Sequence, residues 1–62
     1  MSASARRLVE DAAERFAAAG VESPRHDAEA LLAFVLDTTR GALLADPVVA
    51  EAARTSYAGL VA

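Results

Sequence analysis

The chain has 62 residues, of which 55% are hydrophobic, and its net charge of −3 combines nine acidic residues with six arginines and no lysine. This length allows one domain at most, near the lower limit for independent folding, and the lack of cysteine excludes disulfides and thiolate metal sites. The acidic balance and the scattered arginines argue against nucleic acid as a direct partner, because phosphate-binding surfaces are clustered and basic.

The first predicted helix runs from about Ser4 to Ala19. Apolar residues recur along it at spacings of three and four, which places them on one face. Gly20 is expected to end the helix, because glycine adopts the left-handed conformation without a side-chain penalty. Val21 can then fold back onto Phe16, a contact that often accompanies this kind of helix end. The predicted apolar face consists of Leu8, Val9, Ala12, Ala13, Phe16 and Ala19.

The second predicted helix covers residues 24–37 and is expected to be the central helix of the fold. Ser23 is a candidate cap, and Pro24 suits the first helical position because its missing N–H would be unpaired there. Asp27 and Glu29 place negative charge near the positive end of the helix dipole. Phe34 lies off an otherwise continuous apolar stripe. That stripe consists of Ala28, Leu31, Leu32, Val35 and Leu36.

The rest of the chain predicts a short helix and a longer one. Thr39 can cap the short helix over residues 40–45, which Gly41 weakens, so we expect only one or two tight turns. Asp46 and Pro47 repeat the cap-then-proline pattern and predict the start of the last helix. No alternating strand pattern appears. The predicted fold is therefore all-α, a small bundle of four short helices, or five if one splits.

Residues with catalytic or ligand-binding chemistry are few. His26 is the one histidine, and without cysteines or further histidines it cannot build a structural metal site, so we expect it to face solvent. The acidic pairs Glu10/Glu14 and Asp27/Glu29 could act as general acid and base, but a solvated helix face is the favoured interpretation. The glycines are isolated, so no phosphate-cradling loop is present. We predict no catalytic, cofactor-binding or metal-binding residue in this chain.

Hydrophobicity along the chain gives no sign of a membrane location. No apolar run approaches the roughly 20 residues that span a bilayer. Charged residues interrupt the N-terminus from Arg6 to Arg15, which removes the core that a signal peptide needs. We therefore expect a cytoplasmic protein without a membrane partner.

Residues 17–32 carry a resemblance to a known family. Their Gly-Val-Glu-Ser-Pro-Arg-x-Asp-Ala-Glu-x-Leu-Leu pattern resembles the start of bacterial release-factor glutamine methyltransferases, the HemK/PrmC family. The similarity continues through residues 35–40 and 43–47 and covers residues 6–62. Asp37 stands where that family often has glycine, which is expected to make the end of the second helix less sharp. Gly41 stands where a better helix former is usual.

The resemblance implies a parent enzyme of two domains, of which residues 1–62 are the N-terminal helical domain. The other domain is Rossmann-like and uses S-adenosylmethionine to methylate the glutamine of a Gly-Gly-Gln motif in class 1 peptide chain release factors. Its Asn-Pro-Pro-Tyr motif is absent from these residues, so the resemblance assigns no catalytic or cofactor residue here and implies no methyl transfer by this chain alone. The implied role is accessory: it helps to dock or orient the release factor in translation termination and packs against the catalytic domain.

Arg25 and Arg40 are the candidate partner contacts, because an arginine fork can pair with carboxylates across an interface. In the alternative, structural interpretation, Arg25 pairs with Asp27, with Glu29 or with the first helix. Two other functions also stay open. The chain could be a stand-alone helical interaction module or self-associating adaptor that buries the face of its last helix, or a helix-turn-helix DNA reader, which the acidic balance disfavours.

Overall fold

The computed structural model describes residues 3–61. In chain order these form β1 (Ala3–Ser4), α1 (Ala5–Ala18), α2 (Pro24–Leu36), a 3₁₀ helix (Gly41–Ala45), β2 (Val48–Val49) and α3 (Glu51–Val61). The all-α class is confirmed, since helices form most of the described chain. The predicted count of four or five helices is wrong, because residues 3–61 contain three α-helices and one short 3₁₀ turn.

The end of α1 follows the predicted stop signal. Gly20 has a φ of 86°, and its N–H donates to the carbonyl oxygen of Ala17 at 3.1 Å, while the N–H of Val21 donates to that of Phe16 at 2.9 Å. This pair of hydrogen bonds is a Schellman motif, which satisfies carbonyls that the helix end leaves unpaired. The chain can therefore reverse within a few residues and bring α2 back against α1.

The end of α2 has the same geometry although it lacks a glycine. Asp37 takes the left-handed conformation, with φ 54° and ψ 50°. The N–H of Thr38 donates to the carbonyl oxygen of Ala33 at 2.9 Å, and that of Asp37 to Phe34 at 3.2 Å. The expectation of a less sharp end is therefore wrong. Aspartate is one of the few residues other than glycine that visit this conformation as single residues.

The segment from Asp46 to Val49 corrects the predicted start of the last helix. After Asp46 the chain stays extended, and β2 pairs antiparallel with β1, with Ala3 opposite Val49 and Ser4 opposite Val48. The last helix therefore begins at Glu51. The strands are only two residues long, too short to show an alternating pattern in the sequence, and their pairing depends on residues more than 40 positions apart.

Asp46 caps a helix, but a different one from the helix that the sequence predicts. Its Oδ1 accepts a hydrogen bond from the backbone N–H of Arg6 at 2.8 Å, and the carbonyl oxygen of Pro47 accepts one from the N–H of Ala5 at 2.8 Å. The hydroxyl of Ser4 accepts a third from the N–H of Arg7 at 3.3 Å. The first amides of α1 are thus satisfied largely by a segment 40 residues away. These bonds tie residues 37–50, which we call the connector between α2 and α3, to the start of the fold.

The core lies between α1 and α2 and is closed by the connector and α3. Leu32 and Ala28 on α2 are completely buried, as expected for the central helix, and α2 packs against both other helices. Val49 reaches this core from β2 and not from a helix. Tyr57 on α3 is 3% exposed, and its hydroxyl donates to the carbonyl oxygen of Ala28 at 2.9 Å. The buried core residues are Ala5, Val9, Ala12, Ala28, Leu32, Ala33, Leu43, Val49 and Tyr57.

The three α-helices described are short. At 14 residues α1 is longer than α2 or α3, and among residues 3–61 no helix combines the length and the hydrophobicity that crossing a bilayer requires.

Candidate docking surface

Arg25 lies in the first turn of α2, where the Ser-Pro-Arg sequence begins the helix. Ser23 precedes the helix but makes no side-chain cap hydrogen bond, so the predicted cap is wrong. The helix start is set instead by Pro24 and by the hydrogen bond from the N–H of Asp27 to the carbonyl oxygen of Ser23 at 3.0 Å. One turn along, the Nε of Arg25 is 3.6 Å from Oε2 of Glu29, as expected for residues four apart on a helix.

Arg40 immediately precedes the 3₁₀ helix and reaches the same carboxylate. Its Nη2 donates to Oε1 of Glu29 at 3.0 Å. The hydroxyl of Thr39 accepts from the N–H of Ala42 at 3.3 Å and so caps this turn as predicted, which holds Arg40 where the connector passes α2. The structure therefore brings both candidate residues together on Glu29, with one oxygen for each guanidinium.

Both arginines remain accessible in this arrangement. The side chains of Arg25 and Arg40 are 58% and 47% exposed, whereas that of Glu29 is only 25% exposed. Of the structural alternatives for Arg25, the ion pair with Glu29 is the one present. This pair does not remove either guanidinium from the surface, so whether they contact a partner stays a prediction.

Sequence reasoning named Glu29 as a possible partner of Arg25 but missed that it also pairs with Arg40. Its spacing from Arg25 signals an ion pair, but nothing local connects it to Arg40, which follows eleven residues later in an irregular connector. The left-handed turn at Asp37 brings Arg40 back alongside the helix. That turn was predicted to be less sharp than it is, and the meeting of the two arginines depends on it.

A recess of about 160 Å³ lies beside this cluster, between the start of α1, α2 and the 3₁₀ helix. Arg6, Arg25, Glu29 and Asp46 provide its polar wall. Leu44 borders it and is 87% exposed, whereas the preceding Leu43 is buried in the core. We call the surface formed by Arg25, Glu29, Arg40 and Leu44 the arginine–leucine surface.

The other candidate chemical groups do not come together. His26 is exposed on the first turn of α2, and Glu10, Glu14 and Asp27 are also exposed. Glu10 forms a surface ion pair with Arg6, at 3.9 Å. Within residues 3–61 no three histidine, aspartate or glutamate side chains are placed to hold a metal ion. The pair Glu10/Glu14 and Asp27 thus lie on solvated helix faces, whereas Glu29 is held by the two arginines.

A larger groove of about 340 Å³ separates α1 from α3. Leu8 and Asp11 line its α1 side, and Tyr57 and Val61 line its α3 side. Burial raises the pKa of Tyr57 from 10.0 to about 12, so at neutral pH the phenol is a neutral hydrogen-bond donor. Its bond to Ala28 makes it a link between α3 and α2 and not an acid in the groove.

The described residues do not fit S-adenosylmethionine. A Rossmann-type cofactor site needs a glycine-rich turn between a buried parallel strand and a helix. Here Gly20, Gly41 and Gly59 are far apart in the sequence, and the strands described are a two-residue antiparallel pair. Residues 3–61 therefore supply no cofactor loop of this type.

Comparison with known proteins matches the chain to a family model, whereas no curated protein and no solved structure matches it. The family model described as the PrmC N-terminal domain matches residues 7–62, a span that contains most of α1 and all of α2, the connector and α3. The chain therefore belongs to the PrmC N-terminal domain family.

Proposed function

We propose that this chain is the accessory domain of a peptide chain release factor glutamine methyltransferase, and that it docks or orients a class 1 release factor for methylation of its Gly-Gly-Gln glutamine. The family match over residues 7–62 carries this proposal. The methyl donor, S-adenosylmethionine, and the reacting groups belong in this view to a separate catalytic domain, against which the accessory domain packs.

The described geometry agrees with a binding role. Most charged side chains lie on the surface, and large apolar side chains are also exposed, with Leu44 at 87%. Such side chains are useful to a domain that contacts other proteins. The acidic net charge favours a protein partner over nucleic acid. Translation termination places the site of action in the cytoplasm.

Steady-state kinetics would test the proposal. The full protein encoded by the reading frame that contains these residues is compared with a version lacking residues 1–62, on intact release factor and on a short Gly-Gly-Gln peptide. We expect the truncation to raise KM for the release factor at least tenfold, because the docking contacts are lost, and to leave kcat on the peptide within about twofold.

The peptide serves as the control, since it reports an intact catalytic domain and is too short to reach the docking surface. An unchanged KM for the release factor would refute the docking role. Methyl transfer by residues 1–62 alone would refute the accessory role altogether.

A second candidate is a self-associating adaptor. The observation in its favour is Leu60 on α3, which is 52% exposed at the end of the helix. Sedimentation velocity of residues 1–62 would support it if a dimer forms at micromolar concentration and Leu60→Glu dissociates it.

A further inference from the structure

The arginine–leucine surface has more hydrogen-bond donors than acceptors. A guanidinium carries several N–H donors and no acceptor, and Glu29 occupies one donor of Arg40 at 3.0 Å and lies within ion-pair distance of Arg25 at 3.6 Å. Most donors of the two half-exposed guanidiniums therefore point to solvent. An incoming group that bonds to them must be an acceptor, and a carboxylate matches the fork of a guanidinium.

The acceptors around this surface are already engaged. Both oxygens of Glu29 face arginines, and Oδ1 of Asp46 accepts the N–H of Arg6. Arg6 itself pairs with Glu10 at 3.9 Å. Three arginines and three carboxylates are present, so the formal charges of these groups cancel. The surface can therefore attract an acceptor through its directed N–H donors and not through a large positive potential.

Glu29 also organises the two arginines before a partner arrives. Because one carboxylate holds both side chains, part of the rotamer entropy that long side chains lose on binding is already lost in the unbound protein. Glu29 is only 25% exposed, so it is less accessible to a partner than the arginines are. Its role is to position the two guanidiniums and not to contact the partner's carboxylate.

Leu44 supplies the apolar part of the surface. At 87% exposure it stands beside a recess of about 160 Å³, well below the ~300 Å³ at which small-molecule pockets begin. A recess of this size suits one side chain of a protein partner. An exposed leucine next to paired guanidiniums matches a surface in which a carboxylate neighbours an apolar side chain.

We propose that the arginine–leucine surface binds an aspartate or glutamate that is flanked by an apolar side chain on the surface of a partner protein. Arg25 and Arg40 hold the carboxylate, Glu29 positions them, and Leu44 covers the apolar neighbour. This rests on the proposed function, which makes that partner the release factor. Nucleic acid fits less well, because a row of phosphates needs a clustered basic surface, whereas the arginines here alternate with the carboxylates of Glu10, Glu29 and Asp46.

Isothermal titration of release factor into the full protein that contains these residues would test the surface. Leu44→Glu places a charge against the partner's apolar side chain and next to the partner's carboxylate, and the 87% exposure of this position leaves the fold intact. Arg25→Lys combined with Arg40→Lys keeps the charges near Glu29 but removes the forks. We expect each change to weaken binding about tenfold, and we expect the wild-type Kd to rise with salt.

The matched control variants change residues that are also exposed but that lie outside the arginine–leucine surface. Phe34→Glu replaces another exposed apolar residue on the same helix as Glu29, and Arg7→Lys alters an exposed arginine that forms an i,i+4 pair with Asp11 on α1. Neither residue lines the recess, so both variants should bind within about twofold of wild type.

The outcomes separate this inference from the proposed function. If wild type binds release factor and Leu44→Glu and the double lysine variant bind equally well, the arginine–leucine surface is refuted and the docking role stands. If the controls weaken binding as much as the test variants, the surface is also refuted. If wild type itself does not bind release factor, the docking role fails. Displacement of bound release factor by a duplex RNA, lost in the double lysine variant, would replace the carboxylate partner by a phosphate one.

Discussion

The α1–α2 pair and the connector at residues 37–50 carry similar local signals but reach different structures. Ser23–Pro24 and Asp46–Pro47 have the same cap-then-proline pattern, yet a helix follows the first directly, whereas an extended strand follows the second. In α2 the proline precedes 12 further helical residues with an apolar stripe that burial stabilises. After Pro47, the extended conformation is stabilised over a helix by the burial of Val49, which is 1% exposed, and by the pairing of β2 with β1.

This difference shows that a cap-then-proline signal starts a helix only when the residues after it can form a helix with a buried apolar face. Asp46 keeps its capping chemistry but uses it on the amide of Arg6 in α1. The conformation of the connector thus depends on contacts with residues distant in the sequence. The following substitutions compare the contribution of those contacts to stability with the contribution of the α1–α2 core.

The largest expected effect is in the α1–α2 core. Leu32→Ala removes a fully buried side chain and should lower the free energy of unfolding by about 3 kcal/mol, measured by urea denaturation followed by circular dichroism. For so small a domain this can approach the whole stability. Leu44→Ala, at an 87% exposed position, is the control and should change it by less than about 0.5 kcal/mol. Similar losses in the two variants would contradict the assigned core.

Tyr57→Phe tests the hydrogen bond that joins α3 directly to α2, without the participation of the connector. The loss of the hydroxyl leaves the buried carbonyl oxygen of Ala28 without its partner and should cost about 1–3 kcal/mol of unfolding free energy. Thr55→Val removes a solvent-exposed hydroxyl that bonds within its own helix and should cost less than about 0.5 kcal/mol. Equal costs for the two variants would mean that the Tyr57 hydroxyl is not bonded in the core.

The same tyrosine predicts a dependence of stability on alkaline pH. Burial raises the pKa of Tyr57 to about 12 in the folded chain, against 10.0 when it is unperturbed. The unfolded phenol therefore ionises first, so stability that is complete below pH 10 falls as pH rises toward 12. Urea midpoints of the wild type should decrease across this window, whereas those of Tyr57→Phe should decrease less. Parallel curves would contradict the burial of the phenol.

Asp46→Ala separates the two roles that Asp46 could have. Loss of the acceptor for the N–H of Arg6 should cost about 1 kcal/mol and accelerate hydrogen exchange of the first amides of α1. Asp46→Asn retains a side-chain acceptor and tolerates the left-handed conformation, so it should restore most of the stability. Faster exchange confined to the start of α3 would instead favour the role that the local sequence suggests.

Asp37→Gly should have the smallest effect, and it should be stabilising. Asp37 has a φ of 54°, a conformation that glycine adopts without a side-chain penalty. The gain should be below about 1 kcal/mol, since glycine also loses more backbone entropy on folding. Asp37→Ala is the matched comparison and should be less stable than Asp37→Gly. The reverse order in thermal denaturation would mean that the turn between α2 and the connector is not left-handed in solution.

Much of the fold and part of the candidate surface could be predicted from residues close together in the chain. The 14 and 13 residues of α1 and α2 are long enough for apolar periodicity to identify their buried faces, and Gly20 marks the turn between them. Arg25 and Glu29 are one helical turn apart, so their ion pair follows from the helix alone. The family resemblance also came from this continuous stretch, and the match over residues 7–62 confirms it.

Only the tertiary structure decided the path of residues 37–50 and everything that depends on it. Strand pairing of Ala3 with Val49, the cap from Asp46 to α1 and the meeting of Arg40 with Glu29 each join distant residues. A short connector has too few residues for any periodic pattern, so its conformation is set by which distant amides and carboxylates need partners once the helices have packed. Local residues therefore determine α1 and α2, whereas long-range hydrogen bonding determines where α3 begins and how the surface is assembled.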